Sequence, residues 1–392
     1  MEQAHSRKSI LIGTSLHDNP VSNQFAALGR ELVERGYPIT LLVQSSRYDR
    51  ANADPRIAVL TWPSTRPTGF ADARFFDKVV AQSRPGCIIS NFGANNVMVI
   101  VAALRRVPVR VHWYHTLSTQ IDQDWRGSSF LRLWLLRLRA RLTYTLATHT
   151  VANSQAAKRD ALDTFGVSPA HCTVFWNCLR NPGTARSVAG TRLGRQRFLC
   201  VGRFNRSKGQ DVLVRAMAEV ARRLPSVRLD FVGDGPGRKE CEQLAHELGV
   251  AGHCSFAGGV PHPEVLSRMA GAWATVVPSR AEAFGLVNIE SLAVGTPVIG
   301  SATGGIAEIV RDRVDGLLFP PGDHKALARC MIELAQNQAL RNQMSVSCRQ
   351  RFLDHFELSR AVKTQADWLC GLIENKSRTI EHRKQEPVVC TP

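Results

Sequence analysis

The sequence predicts an α/β fold built from two successive Rossmann-like domains, and three observations lead to this prediction. Short apolar runs alternate with stretches of helical periodicity along most of the chain, a pattern typical of parallel sheets covered by helices on both faces. A polar segment at 181–196 interrupts the alternation, which then restarts. The 392 residues suffice for two domains with separate cores. Two such sheets would face a central cleft, with ligands at the carboxyl ends of their strands.

The first predicted domain spans residues 1–180. It begins with a buried strand in the run KSILIG at 8–13, and a helix at 23–35 follows and ends at Gly36. Further strands are predicted at 39–43, 58–62, 87–90, 109–113, 148–152 and 173–176, with helices at 72–82, 95–104 and 155–165. Residues 181–196, which contain Pro182 and three glycines, form the predicted linker.

The second predicted domain spans residues 197–357 and repeats the alternation. Strands are predicted at 198–201, 228–232, 253–257, 273–277 and 297–300, with helices at 210–224, 238–248, 263–270, 286–294, 323–336 and 340–352. A last helical pattern at 358–374 has no strand after it, and we expect it to fold back onto the first domain. The polar residues 375–392 are predicted to form a disordered tail.

The composition is ordinary for a globular protein except for its charge. Fifty Lys and Arg against 33 Asp and Glu give a formal charge of +17, which attracts polyanions such as nucleic acid, acidic lipid headgroups or phosphorylated substrates. No apolar run approaches the roughly 20 residues that span a bilayer. We therefore expect a cytoplasmic protein, with a peripheral position on the inner face of the cytoplasmic membrane as an open alternative. The ten cysteines are scattered without zinc-ligand spacing.

Two carboxylates in the second half stand eight residues apart, Glu282 and Glu290. Glu282 is predicted in a loop after a short strand, and Glu290 lies one turn inside the helix predicted at 286–294. Free backbone amides at residues 284–287 would face the loop, and such amides favour phosphate. Carboxylates beside them accept hydrogen bonds from hydroxyl groups. The pattern therefore suits a ligand that is part phosphate and part sugar, such as a nucleotide sugar.

Two cations precede this stretch at the end of another predicted strand. Arg203 follows the strand, Lys208 lies five residues later before a helix, and Gly202 leaves room for a ligand. Arginine binds a diphosphate bidentately and lysine binds it as a point charge. By itself this spacing also fits two solvated loop cations.

Five motifs together resemble one family. VGRFNRSKGQDVLVRAM, FVGDGPGR, FAGGV, PSRAEAFGLVNIESLAVGTPVIGSATGGIAEIV and DGLLFPPGD resemble the C-terminal domain of the GT4 family of retaining glycosyltransferases, which have the GT-B fold. The resemblance implies that Glu290 holds the ribose and Glu282 contacts the transferred sugar. It implies that Arg203 and Lys208 neutralise the departing diphosphate. The family's nucleotide and diphosphate pocket maps onto Phe284, Gly285, Leu286, Val287, Gly233, Gly259 and Val260.

The first half resembles the same family in fewer places. VHWYHTLSTQ resembles the segment with a cleft histidine, which implies that His115 contacts the acceptor or the transferred sugar. The family's Asn-Gly after a later strand appears here as Asn177 and Cys178. The Gly-Gly pair that the family places before its first helix is missing from TSLHDNPVSNQ. We expect polar contacts there from Ser22, Asn23 and Gln24 instead.

An arginine-rich apolar segment at 126–141 forms a second candidate surface. On a helix Leu131, Trp134, Leu135, Leu138 and Leu142 share one face, flanked by Arg132, Arg137, Arg139 and Arg141. This helix either lies in a membrane interface with its arginines on anionic headgroups or buries its leucine face in the first domain. The nearby Asp122-Gln123-Asp124 matches the metal-binding D-x-D of another glycosyltransferase fold. It lacks the strand context of that fold, and we interpret the match as chance.

The resemblance implies a hexosyltransferase, an enzyme that moves a hexose from a UDP- or GDP-sugar to an acceptor hydroxyl. The configuration at the anomeric carbon of the sugar would be retained. The implied acceptor is a glycan or lipid-linked sugar in cell-surface polysaccharide or glycolipid synthesis. The resemblance implies that the reaction uses no metal ion and no further cofactor. A nucleotide-sugar epimerase of the same fold is one alternative, and a non-catalytic polyanion-binding protein is another. Nucleic acid is disfavoured because no nucleic-acid-binding module is present.

Overall fold

The computed structural model describes residues 7–14, 20–44, 54–65, 67–91, 94–124, 130–183 and 196–385. They form two parallel sheets with helices on both faces, which confirms the predicted α/β fold. Most of the predicted linker, residues 184–195, lies outside the described residues.

The first sheet has the spatial order β3-β2-β1-β4-β5-β6-β7, with every pair parallel. Its strands are β1 (Ile10–Thr14), β2 (Ile39–Val43), β3 (Ile57–Thr61), β4 (Cys87–Ser90), β5 (Val109–Tyr114), β6 (His149–Ala152) and β7 (Cys172–Val174). The helices between them are α1 (Pro20–Glu34), α2 (Phe70–Ser83), α3 (Asn95–Leu104), α4 (Ser118–Asp124), α5 (Phe130–Leu146) and α6 (Gln155–Phe165).

Local signals set the bounds of α6. The Ser154 side chain accepts a hydrogen bond from the Ala157 amide at the start of the helix, and Gly166 ends it with a φ of 72°. A serine cap satisfies an amide that has no partner within the helix. Glycine adopts the left-handed conformation without a Cβ clash. The helix therefore occupies the predicted residues, 155–165.

The second sheet has the order β10-β9-β8-β11-β12-β13, again parallel throughout. Its strands are β8 (Arg197–Val201), β9 (Arg228–Val232), β10 (Cys254–Phe256), β11 (Ala274–Val277), β12 (Val298–Ser301) and β13 (Gly316–Phe319). Its helices are α7 (Gln210–Arg223), α8 (Arg238–Glu247), α9 (His262–Gly271), α10 (Leu286–Ala293), α11 (Ile306–Ile309), α12 (His324–Gln336) and α13 (Gln338–His355). A 3₁₀ turn at Arg206–Lys208 precedes α7.

The last helix, α14 (Leu358–Gln385), returns to the first domain. Its buried residues Leu358, Val362, Ala366 and Leu369 share a hydrophobic core with Phe25 of α1 and Trp113 of β5. The predicted disordered tail is wrong for residues 375–385, which continue this helix. That stretch contains neither Gly nor Pro, and its Lys, Arg, Glu and Gln residues are good helix formers. Residues 386–392 lie outside the described residues.

Candidate active site

A cavity of about 360 Å³ lies between the two sheets, where strands of both end. From the first domain it is lined by His115 and Thr116 after β5, Asn153 after β6, and Asn177. The second domain contributes Arg203, Lys208, Glu282, Phe284, Gly285, Leu286 and Val287. A cavity of this size, with polar groups converging on it, is typical of a small-molecule site. The structure therefore brings together eight of the twelve predicted site residues.

Lys208 and Glu282 form an ion pair at the centre of the second-domain wall. Lys208 Nζ lies 2.5 Å from Glu282 Oε2, and the Ser279 hydroxyl donates to the same oxygen at 3.2 Å. The Glu282 side chain is 8% exposed and that of Lys208 is 27% exposed. The ammonium group therefore compensates a nearly buried carboxylate while keeping access to the cavity.

Glycines allow the loops around this pair to pack backbone against backbone. Gly209 has a φ of 67°, and a Cβ there would lie 2.2 Å from the Pro278 carbonyl oxygen. A Cβ on Gly304 would lie 1.9 Å from the Glu282 carbonyl oxygen, and one on Gly305 would lie 2.4 Å from Phe284 Cα. The Gly305 amide also donates to the Glu282 carbonyl at 3.0 Å. The positions of Lys208 and Glu282 thus depend on residues without side chains.

Helix α10 begins immediately after this loop, and its first residues, Leu286 and Val287, line the cavity. Gly285 precedes it with a φ of 91°, and its carbonyl accepts from the amide and the side chain of Asn288, both at 3.0 Å. The amides of the first turn have no intrahelical partner and carry the positive end of the helix dipole. Residues 284–287, for which phosphate binding was predicted, therefore line the same cavity as Lys208.

Glu290 lies one turn inside α10, as predicted, but outside the residues that line this cavity. Its side chain is 7% exposed, and its Oε1 lies 2.9 Å from His262 Nε2. His262 opens α9 two residues after Val260, the end of the FAGGV motif. Sequence reasoning missed His262, although a polar residue at a helix start after a motif is a usable signal.

The remaining predicted pocket residues also lie outside that cavity lining. Gly233 follows β9 with a φ of 131°, and a Cβ there would lie 2.1 Å from the Gly202 carbonyl oxygen. Gly233 therefore lets two strand-end turns touch. Val260 packs in one hydrophobic cluster with Val287 of α10. Gly259 is exposed, and a Cβ there would have no described atom within 4 Å.

His115 and His112 lie in a neutral, aromatic region of the first domain. Burial lowers the pKa of His115 to about 3, and neighbouring His112 contributes in the same direction. Burial likewise lowers the pKa of His112 to about 4, and its ring packs at 4.7 Å from that of Tyr144. Both imidazoles are therefore neutral near pH 7, a form suited to hydrogen bonding with uncharged hydroxyl groups.

Two asparagines that line the cavity were not predicted as site residues. The side-chain oxygens of Asn153 and Asn177 are buried and accept no hydrogen bond from the described part of the chain. A buried polar atom without a partner is costly, so it marks a place where a ligand or water hydrogen-bonds. The family's Asn-Gly position offered the signal for Asn177, and the position directly after β6, at a strand end, offered it for Asn153.

The structure corrects the expectation for the start of α1. Gln24 is buried, donates to Gln365 Oε1 at 3.3 Å and accepts from the Cys178 amide at 3.2 Å. Its amide group thus joins α1 to α14 and to the end of the first domain. Among the described residues of this segment, Val21 lines the cavity and Ser22, Asn23 and Gln24 do not.

Direct hydrogen bonds join the two domains beside the cavity. Ser154 donates to the Ala283 carbonyl at 2.5 Å. Glu308 accepts from the amides of Gln155 and Ala156, at 2.8 and 2.7 Å, at the start of α6. A carboxylate at a helix N-terminus satisfies free amides and interacts favourably with the helix dipole. The loop at 282–284 is thus held by hydrogen bonds from both domains, from Ser154 of the first and Gly305 of the second.

Two domain-family models match the chain. Residues 184–351 match glycosyl transferases group 1, and residues 21–179 match Glycosyltransferase Family 4. A GDP-mannose-dependent alpha-(1-6)-phosphatidylinositol monomannoside mannosyltransferase of Mycolicibacterium smegmatis is 32% identical over 180 residues, 44% of this chain and 47% of the relative. The chain spans about half the length of the curated relatives it matches.

Solved structures resemble the whole described fold. Sucrose-phosphate synthase of Thermosynechococcus elongatus aligns with a TM-score of 0.76 at 22% identity, covering 94% of this chain and 100% of that one. Anabaena HepE in complex with UDP and glucose aligns with a TM-score of 0.75 at 19% identity, covering 93% and 100%. At these identities the likeness concerns the fold.

The facing sheets, with the cavity between their strand ends, define a two-domain glycosyltransferase fold of the GT-B type. Within that class, the two matched families place the chain in the GT4 family of glycosyltransferases. In the part of the chain that the structure describes, no helix combines the length and the apolar character needed to cross a bilayer.

Proposed function

We propose that the protein is a retaining glycosyltransferase that moves a hexose from a UDP- or GDP-sugar to an acceptor hydroxyl. One observation carries the proposal: Arg203, Lys208 and the start of α10 face His115, Asn153 and Asn177 across one cavity. The second-domain wall is suited to an anionic diphosphate, and the first-domain wall to neutral hydroxyl groups. The two halves of a transfer reaction thus meet in one place.

The donor would lie along the second domain. Its diphosphate would take the first amides of α10 together with Arg203 and Lys208, which offset the charge that develops on the leaving group. Glu282 would accept hydrogen bonds from hydroxyl groups of the transferred sugar, and Glu290 from those of the ribose. The two cations would compensate the charge of the leaving diphosphate, a task that a metal ion performs in metal-dependent enzymes. We accordingly propose that the reaction needs no metal, so EDTA should leave the rate unchanged.

The acceptor would approach from the first domain as a glycan or lipid-linked sugar of cell-surface polysaccharide or glycolipid synthesis. His115 would contact its hydroxyl group or the transferred sugar as a neutral imidazole, because its pKa is lowered to about 3. The name of the Mycolicibacterium smegmatis relative includes a phosphatidylinositol mannoside. A lipid-borne acceptor of that kind supports this choice of substrate class.

We further propose that α5 docks on an anionic membrane, which would put the enzyme on the inner face of the cytoplasmic membrane. Trp134, Leu135, Leu138 and Leu142 are each about half exposed. The opposite side of α5 packs on the first domain through Ala140 and Tyr144. Arg137, Arg139 and Arg141 are exposed beside the apolar face. This arrangement suits an interfacial helix and does not fit the alternative that the leucine face is buried in the first domain.

The experiment is incubation with labelled UDP- and GDP-sugars, followed by separation of the products. Slow hydrolysis without acceptor, and transfer once a lipid-linked or glycan acceptor is added, would support the proposal. An epimerised nucleotide sugar would favour the epimerase alternative, and failure to bind UDP, GDP or their sugars would favour the polyanion-binding alternative. Glu290→Ala should remove donor binding, whereas Glu264→Ala, which changes an exposed carboxylate of α9, should not.

A further inference from the structure

Helix α4 connects the first-domain wall of the cavity to two loops of the second domain. One loop carries Lys208 and the other carries Glu282, and the two are called the donor loops below. The helix follows directly after the segment of His115 and Thr116, and it belongs to the first domain. Two of its side chains nevertheless hydrogen-bond to the second domain, one at each loop of the Lys208–Glu282 ion pair. Neither side chain lines the donor cavity.

Gln120 holds the Glu282 loop. Its buried Oε1 accepts from the Ala283 amide at 3.2 Å, and it also accepts from the Leu117 amide at 3.2 Å. One oxygen atom therefore bridges the residue next to Glu282 and the segment that carries His115. Because the Ser154 hydroxyl binds the carbonyl of Ala283, both backbone polar groups of Ala283 depend on the first domain.

Asp124 holds the Lys208 turn. Its carboxylate accepts from the Ser207 amide at 3.1 Å, the Ser207 hydroxyl at 3.2 Å and Asn205 Nδ2 at 2.9 Å. Ser207 lies within the 3₁₀ turn that ends at Lys208. The carbonyl of Ser207 accepts from the Arg280 amide at 2.7 Å. A carboxylate of the first domain thus fixes a turn that also contacts the second donor loop.

We propose that Gln120 and Asp124 are positioning residues that place Glu282 and Lys208 for the donor diphosphate sugar when the two domains are in contact. This inference rests on the proposed function. The two side chains act through the backbone next to the ion pair and do not touch the donor. Separation of the domains would break both attachments, so the donor loops reach their working geometry in the closed arrangement. Such coupling links domain approach to the assembly of the site.

The test compares ligands that differ in the part held by these loops. UDP and GDP carry the diphosphate, whereas UMP and GMP keep the nucleoside but lack the second phosphate. In Asp124→Ala we expect affinity for whichever diphosphate binds the wild type to fall about tenfold, the effect of one lost charged hydrogen bond. Affinity for the matching monophosphate should change less than about twofold, within the noise of such comparisons. Titration calorimetry measures both.

Asp122→Asn provides the matched control on the same helix. Asp122 pairs with Arg137 of α5 at 2.8 Å, and among the described residues no hydrogen bond joins its side chain to the donor loops. This variant should therefore bind like the wild type. A second arm combines Asp124→Ala with Lys208→Ala. If Asp124 acts through the Lys208 turn, the double variant should lose little more diphosphate affinity than Lys208→Ala alone.

Three results would overturn the inference: additive losses in the double variant, equal losses for mono- and diphosphate, or no loss in Asp124→Ala. If Asp124→Ala does not fold, Asp124→Asn keeps the shape of the side chain and weakens the hydrogen bonds, and the same comparison applies. Wild-type protein that binds neither UDP nor GDP would contradict the proposed function itself. If instead the wild type binds UDP or GDP and the variants bind equally well, only the role of α4 is contradicted. The two failures are therefore distinguishable.

Discussion

His262 Nε2 lies 2.9 Å from Glu290 Oε1, and this contact joins the start of α9 to the middle of α10. The Glu290 side chain is buried, whereas that of His262 is 36% exposed. The imidazole thus restricts the orientation of a carboxylate that we propose binds the ribose. A carboxylate held in one orientation loses less side-chain entropy when the ligand binds.

We expect His262→Ala to weaken binding of the preferred nucleoside diphosphate by about tenfold, since a hydrogen bond to a charged group of this kind is lost. Titration calorimetry with UDP and GDP measures the effect. His246→Ala, at an exposed histidine of α8, serves as the control. Equal affinities for the wild type and His262→Ala would show that Glu290 needs no support from His262.

Removal of the Glu282 charge should separate diphosphate binding from sugar transfer. In Glu282→Gln, Lys208 loses its ion-pair partner and becomes fully available to the diphosphate, so affinity for UDP or GDP should be kept or increased. Transfer should fall by about 10²-fold or more, because Glu282 is the group that we propose contacts the reacting sugar. Parallel calorimetry and initial-rate measurements check both expectations, and a joint loss of binding and rate would contradict them.

Gly209→Ala should destabilise the protein more than Gly249→Ala, although both glycines are in the left-handed region, with φ of 67° and 69°. The shared backbone penalty is about 1–2 kcal/mol. A Cβ at Gly209 would meet the Pro278 carbonyl oxygen at 2.2 Å, whereas one at Gly249 would have no described atom within 4 Å. Urea unfolding of the two variants gives the difference, and equal losses would refute the steric explanation.

Buried His112 should make stability fall with acidification. Its pKa is lowered from 6.5 to about 4, so the unfolded chain binds a proton between these pH values that the folded chain does not. Stability should therefore decrease as the pH falls from 6.5 to 4, by about 1.4 kcal/mol per pH unit for each such histidine. His112→Phe should flatten the slope of unfolding free energy against pH by about one proton, which urea unfolding at a series of pH values between 4 and 7 measures.

The exposed face of α5 should bind anionic vesicles at low salt. Changing Arg137, Arg139 and Arg141 to Glu should weaken sedimentation with phosphatidylserine vesicles by about tenfold or more, given about 1 kcal/mol per cation near such a surface. Leu138→Ser with Leu142→Ser should weaken it at both low and high salt, because the apolar contribution is not screened. Val346→Glu, an exposed apolar residue of α13, is the control. Unchanged sedimentation of the folded variants would exclude the docking proposal.

Local patterns predicted much of the second-domain wall of the cavity. The alternation of apolar strands with amphipathic helices determines parallel sheets, and the carboxyl ends of those strands meet at one edge. Arg203, Lys208, Glu282 and residues 284–287 therefore lie on one wall, as expected. The helix start at Leu286 and the position of Glu290 within α10 also follow from local signals.

The contacts across the cleft could not be predicted in this way. Helix α4 is short and polar, without an apolar period, and the contacts of Asp124 and Gln120 join residues 83 and 163 positions apart. Such contacts depend on how the two domains meet. Helical periodicity identified the apolar face of α5 but not whether this face points into the protein or away from it. Its outward orientation is set by the packing of Tyr144 and Ala140, on the opposite side of the helix, against the first domain. The side chains of residues 130–133, including Arg132, and residues 125–129 lie outside the described part.

The close backbone packing of Gly304 and Gly305 behind Glu282 and Phe284 has a consequence for mutational scanning. Any side chain at these positions would displace the loop at 282–284, because the nearest atoms belong to its backbone. A scan for transfer activity would rank both glycines with the residues proposed to bind the donor. Titration with nucleoside diphosphate and an unfolding curve for each variant would separate such supporting positions from those proposed to contact the ligand.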